Sequence, residues 1–146
     1  LTQTESYSMY KNAPSEFSIA LDLVSRSGIN LSAATLTNLR MAAEAKTLTI
    51  LWNGKNEPVG YVSWAGANKE SVRMASQFNL SPSRLWEFRE GNIAFIMNVL
   101  FSPRFKDEAK AEFRKFVRAR RAVFFVKKEK KRLAVRTSRG FRFPAM

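Results

Sequence analysis

The chain contains no cysteine and no histidine. Without cysteine there are no disulfides, no thiol nucleophile and no thiolate-ligated metal, which fits a reducing compartment. Without histidine there is no Ser-His-Asp triad, no imidazole base and no His-ligated zinc. Any general base must be a carboxylate, a lysine of shifted pKa or a terminal amine. No metal site is expected. No apolar run approaches the roughly 20 residues of a membrane span, so the chain reads as soluble. Internal repeats and linkers are also missing, so one domain is expected. The chain begins at Leu1 without a secretory signal pattern, which leaves room for a removed leader.

What is present is enough for a packed core. The 146 residues are 45% hydrophobic and 12% aromatic, with 12 Phe. A chain of this length buries about two thirds of its unfolded surface on folding. The net charge of +13 is unevenly placed. Residues 1–103 carry nine Lys/Arg against eight Asp/Glu, and residues 104–146 carry sixteen against four. Such asymmetry points to an anionic partner engaged by one end of the fold.

Periodicity gives the order of elements. Residues 1–12, "LTQTESYSMYKN", are polar without a period and are expected to form an arm before a domain over 13–146. Pro14 and Ser15 as start signals and Gly28 as a stop predict a helix over about 16–26, with Phe17, Ala20, Leu21 and Val24 on its apolar face. A second helix starts near Leu31 or Ser32 and turns Leu36, Leu39, Ala42 and Ala43 inward. Thr47–Trp52 and Val59–Trp64 read as strands joined across "NGKNEP", with Asn53-Gly54 supplying a positive-φ turn. "NKESVRMASQF" predicts a short helix and "NLSPSRLWEFREGN" a loop or surface segment.

Ile93–Phe101 is a nearly continuous apolar run, as in a strand buried on both faces, interrupted by Asn98. "KDEAKAEFRKFVRAR" has acids in its first turn and bases in its last, matching a helix macrodipole, with Phe113, Phe116 and Val117 facing the core. Strand, charged turn, strand and a Gly140 turn into an aromatic end complete the chain. The order α-α-β-β-α-β-α-β-β predicts a single α/β domain with a mixed sheet covered by helices.

Four strings in this order carry a resemblance: "NAPSEFSIALDLV", "LTILWNGKNEPVGYVSWA", "GNIAFIMNVLFSP" and "FRKFVRARRAVFFVKKEKKRLAVRTSRG". From about Tyr7 to Phe143 the chain resembles the toxin-activating lysine acyltransferases, small cytoplasmic proteins that fatty-acylate RTX toxins. "PVGYVSWA" is the most specific string. The resemblance implies a GNAT-like acyltransferase fold and transfer of a fatty acyl group from acyl carrier protein to a protein lysine. It implies no cofactor beyond that carrier-borne acyl group. It implies a cytoplasmic location, or the virion if the chain is phage-encoded.

The family's chemistry rests on a histidine soon after an early proline and on an aspartate in the central strand. Here the first position falls at or near Glu16 and the second at Met97 or Asn98, so both family residues are replaced. The glycine-rich GxG turn that cradles pyrophosphate in coenzyme-A-binding relatives is missing after Ile93–Phe101. Glu16 could accept a proton if burial raised its pKa, or simply serve as a helix-start acid. Asn98 could donate to a developing oxyanion, or be a satisfied core amide or bulge. Ser63 and Trp64 are candidates for a groove at the end of the hairpin; the competing readings are core packing for Trp64 and, for Ser63, a serine without a base.

The basic end has three readings. Lys127, Lys128, Lys130, Lys131 and Arg132 form a solvated turn, or a surface for an acidic protein such as acyl carrier protein. With Arg114, Lys115, Arg118, Arg120 and Arg121, which crowd one helix end, they form a site for nucleic acid. Two functions stay open. One is an acyltransferase with an altered catalytic pair and weakened or lost catalysis. The other is a repurposed fold: a phage virion or ejection component among virion proteins, or a nucleic-acid-binding adaptor.

Overall fold

The computed structural model describes residues 15–79, 81–82, 85–127, 130–137 and 139–143. The expected polar arm over 1–12 and the Lys128 position of the charged turn lie outside them. The described elements are α1 (Ser15–Ser27), α2 (Ala33–Glu44), β1 (Leu48–Trp52), β2 (Pro58–Ala67), α3 (Lys69–Phe78), β3 (Ile93–Phe101), α4 (Lys106–Arg118), β4 (Ala122–Lys127), β5 (Lys130–Thr137) and β6 (Gly140–Arg142). Short 3-10 turns at Leu85–Phe88 and Pro103–Phe105 flank β3.

Local chemistry sets these boundaries. The Ser32 hydroxyl accepts from the Thr35 amide at 3.1 Å and opens α2. Asn68 does the same for α3, its Oδ1 taking the Ser71 amide at 2.8 Å, and Asn79 closes that helix in the left-handed region at φ 56°. The β1–β2 turn departs from expectation. Its positive φ belongs to Asn56, at 59°, not to Gly54. Asn53 organises it instead: its Oδ1 accepts from the Lys55 and Glu57 amides, and its Nδ2 donates to Glu57 and Glu108 carboxylates.

The six strands form one mixed sheet in the order β1-β2-β3-β4-β5-β6. β1 and β2 pair antiparallel and continue into a sheet that contains β3, as the hydrophobic patterns predicted; β3 joins β2 antiparallel. The β3–α4–β4 crossover makes the only parallel pair among the described strands. Gly60 is required where β2 meets β3, because a Cβ there would lie 2.3 Å from the Leu100 carbonyl oxygen.

Each sheet face has its own core. On one, α1, α2 and α3 cover Ile50, Tyr61, Ala65, Phe95 and Phe124. On the other, Ala109 and Phe116 of α4 cover Leu51, Val59 and Val62. Full burial of side chains of this size contributes about 1.5–3 kcal/mol each. Phe116 is buried, while Phe113 and Val117 pack half-buried around it. The segment expected as loop or surface before β3 also contributes: Phe88 is fully buried in the first core. Arg89 bridges to Gly66, so this stretch is pinned to the end of β2.

Candidate functional site

The parallel pair is short. β3 and β4 are joined only at Ile93–Phe95 with Ala122–Phe124, and the strands then diverge. A cavity opens on each side of the divergence. The one beneath α4, about 700 Å³, is walled by apolar side chains including Val99, Phe101, Phe113, Val123 and Phe141, with Lys110, Arg114 and Arg118 at its border. The one on the α3 side, about 680 Å³, is more polar, with Asn38, Asn79, Ser81, Asn98 and Lys131 among its lining. Ile96, Val99, Phe125 and Val126 line both, so the two cavities meet at the gap between the strands.

The polar group of this gap is built by a β-bulge. Ser63 opposes Asn98 and Trp64 opposes Ile96, which leaves Met97 as the extra residue of β3. Directly opposed residues of an antiparallel pair share a face, so Ser63 and Asn98 point the same way, as does Tyr61 two positions earlier. The Tyr61 hydroxyl donates to Asn98 Oδ1 at 2.5 Å. This fixes the amide, whose NH₂ is left without a hydrogen bond among the described residues. Burial of Tyr61 pushes its phenol up to about 12, so it remains a donor at neutral pH. Ser63 is fully buried and its hydroxyl has no partner among the described residues.

The residues singled out in the sequence divide among separate places. Asn98 lines the polar cavity. Glu16 lies in the first turn of α1, exposed, beside the Ser15 hydroxyl, and lines neither cavity. The sheet therefore does not gather Glu16 and Asn98 into one pocket. Ser63 and Trp64 lie on opposite faces. Trp64 packs edge-on against Phe116 at 5.9 Å and donates from Nε1 to Thr49 Oγ1 at 3.0 Å.

Among the basic residues, Arg114 and Arg118 are exposed at the border of the apolar cavity, and Arg121, Lys130 and Arg132 are exposed. Lys115 pairs with Glu112. Lys131 is tied to α3 through the Ser76 carbonyl and Asn79 Oδ1. Arg120 is drawn inward: its guanidinium lies 4.5 Å over Trp64 and 4.4 Å over Phe116, and burial lowers its pKa. The backbone of Lys127 pairs with Lys130, and the Lys127 side chain lies outside the described set.

Tyr61 was not a sequence candidate. Strand alternation within "PVGYVSWA", which places positions 61 and 63 on one face, is the signal that could have found it. Downstream of β3 come Pro103 and then Asp107 and Glu108 in the first turn of α4. Carboxylates there oppose an anion at the helix start. Among the described residues no group of three or more His, Cys, Asp or Glu could hold a metal, and no helix is long and apolar enough to cross a membrane. In comparisons with known proteins, no family model matches the chain and no curated protein matches it.

Proposed function

We propose that the chain is an acyltransferase-type, GNAT-like protein that holds an acyl chain in the gap between β3 and β4, with catalysis much weakened or lost. The observation that carries this reading is the gap itself: a polar cavity with a fixed amide on one side and an apolar cavity of about 700 Å³ on the other. A thioester carbonyl beside Asn98 would meet its NH₂, and a hydrocarbon tail would pass between Ile96 and Phe125 into the apolar side. The order of motifs resembling the toxin-activating lysine acyltransferases supports the same reading. No carboxylate lines either cavity among the described residues, so a carboxylate base is missing from the site. Loss of such a base removes about 10²–10⁴ in rate. The donor would be an acylated acidic carrier protein, met by the unpaired cations of the C-terminal third.

The test is a titration with acyl carrier protein bearing a long acyl chain and with the same carrier lacking it. The acylated form should bind at least tenfold more tightly, about 1.4 kcal/mol, and Ile96→Trp, which fills the gap, should abolish the difference. Equal affinity for both forms would remove the acyl reading.

A second reading, a nucleic-acid-binding or virion component on the same fold, draws on the exposed Arg114, Arg118, Arg121 and Arg132. Binding of duplex DNA with a steep salt dependence would favour it.

A further inference from the structure

An exposed apolar side chain stands beside the cavity beneath α4: Phe143 is 57% exposed and lines it. Val126 also lines it, but its pairing with Lys131 places it on the opposite face of β4, where it lines the polar cavity too. Around the cavity beneath α4 are cations that join no ion pair among the described residues. Lys110, Arg114 and Arg118 border the cavity from α4, and Arg132 is placed on the same side by its pairing with Phe125. The ion pairs among the described residues join Arg26 to Asp22, Arg40 to Glu44, Arg73 to Glu70 and Lys115 to Glu112, so none neutralises these four. No Asp or Glu lines the cavity among the described residues.

We propose that this face docks on an anionic lipid surface, with Phe143 entering the headgroup layer and Lys110, Arg114, Arg118 and Arg132 meeting lipid phosphates. Charge complementarity selects an anionic partner, and the apolar lip selects among anionic partners. A duplex backbone offers phosphates but nothing to cover an exposed phenylalanine beside a hydrocarbon-lined cavity. A bilayer offers both, in the same order from outside to inside. The inference rests on the anionic-partner part of the proposed function and not on acyl binding in the gap, which the carrier titration reads separately.

Co-sedimentation of the full chain with vesicles tests it. Vesicles of phosphatidylcholine containing about one third phosphatidylglycerol should bind roughly a hundredfold more tightly than phosphatidylcholine alone, since each basic residue near such a surface contributes substantially. The charge variant Arg114→Glu with Arg118→Glu and the lip variant Phe143→Asp alter exposed positions, and circular dichroism checks that both fold. Each should reduce binding to the anionic vesicles by about tenfold or more. Three results would overturn the proposal: equal binding to the two vesicle types, no binding to either, or a lip variant that binds as the native chain does. A lip variant that keeps full affinity for a short DNA duplex while the charge variant loses it would give the face to nucleic acid instead.

Discussion

β2 buries every residue from Val59 to Ser63 and again from Ala65 to Ala67, whereas β5, of similar length, buries Ala134 alone. The two strands belong to one sheet, yet they answer to different demands. The N-terminal strands are closed on both faces by helices, with α1, α2 and α3 on one side and α4 on the other. The C-terminal strands meet α4 across a cavity and carry exposed arginines. The charge follows the same division: residues 104–146 hold sixteen Lys/Arg against four Asp/Glu. The contrast teaches where substitutions should be read as stability and where as binding.

The sharpest break should come in β2. Gly60→Ala puts a Cβ against the Leu100 carbonyl, a backbone atom that cannot move without separating β2 from β3. A loss of about 4 kcal/mol or more is expected, which a chemical denaturation midpoint would read directly. A near-native midpoint would mean that the two strands are not held at this distance.

Next in size is an alkaline limb. The Tyr61 phenol titrates at about 12 in the fold against an ordinary value of 10.0, because burial disfavours its charged form. A group whose folded pKa is raised contributes stability below the unfolded value and loses it as pH climbs through the folded one. Stability should therefore fall between about pH 10 and 12, by roughly 2–3 kcal/mol. Tyr61→Phe should remove that limb and cost about 1–2 kcal/mol at neutral pH, because Asn98 Oδ1 then loses its donor. A variant with an unchanged alkaline limb would assign the effect to another group.

A smaller effect, of opposite sign, is expected at Ser63. Its buried hydroxyl has no partner among the described residues, so Ser63→Ala should stabilise the fold by about 1 kcal/mol. Destabilisation on thermal melting would indicate that the hydroxyl is satisfied in solution. The smallest effect belongs to the C-terminal half. Replacing Arg114, Arg118 and Arg132 by Ala should leave the Tm within about 2 °C, since exposed cations without partners hold nothing in place. A larger fall would extend the structural role of the first half into the second.

The same division explains what could be read from the chain. β1, β2, β3 and the four helices follow from short-range periodicity and capping residues, because one face of each is buried against a continuous partner. Ser32 and Asn68 announce their helices locally. Phe88 was missed because a single buried side chain in a 3-10 turn leaves no period. The Met97 bulge, the divergence of β3 from β4 and the inward turn of Arg120 onto Trp64 depend on partners distant in sequence. Of the candidate site, Asn98 was visible as a polar break in an apolar strand. Its distance from any role shared with Glu16 was not, since a helix start and a strand centre can lie anywhere relative to each other until the sheet is assembled.

The β1–β2 turn also bears on how the protein ages. An Asn-Gly step is the peptide sequence most prone to deamidation, because the unhindered glycine amide can reach back to the asparagine side-chain carbon. Here that side chain is held from both ends, its oxygen by two backbone amides and its nitrogen by Glu57 and Glu108. The folded turn thus protects Asn53 from its own neighbour. Unfolding releases it, and conversion to aspartate would place a new negative charge between two existing carboxylates. The damage would then be recorded at the point where the hairpin is tied to α4, and a chain that has once opened for long enough would refold with that tie turned into a repulsion.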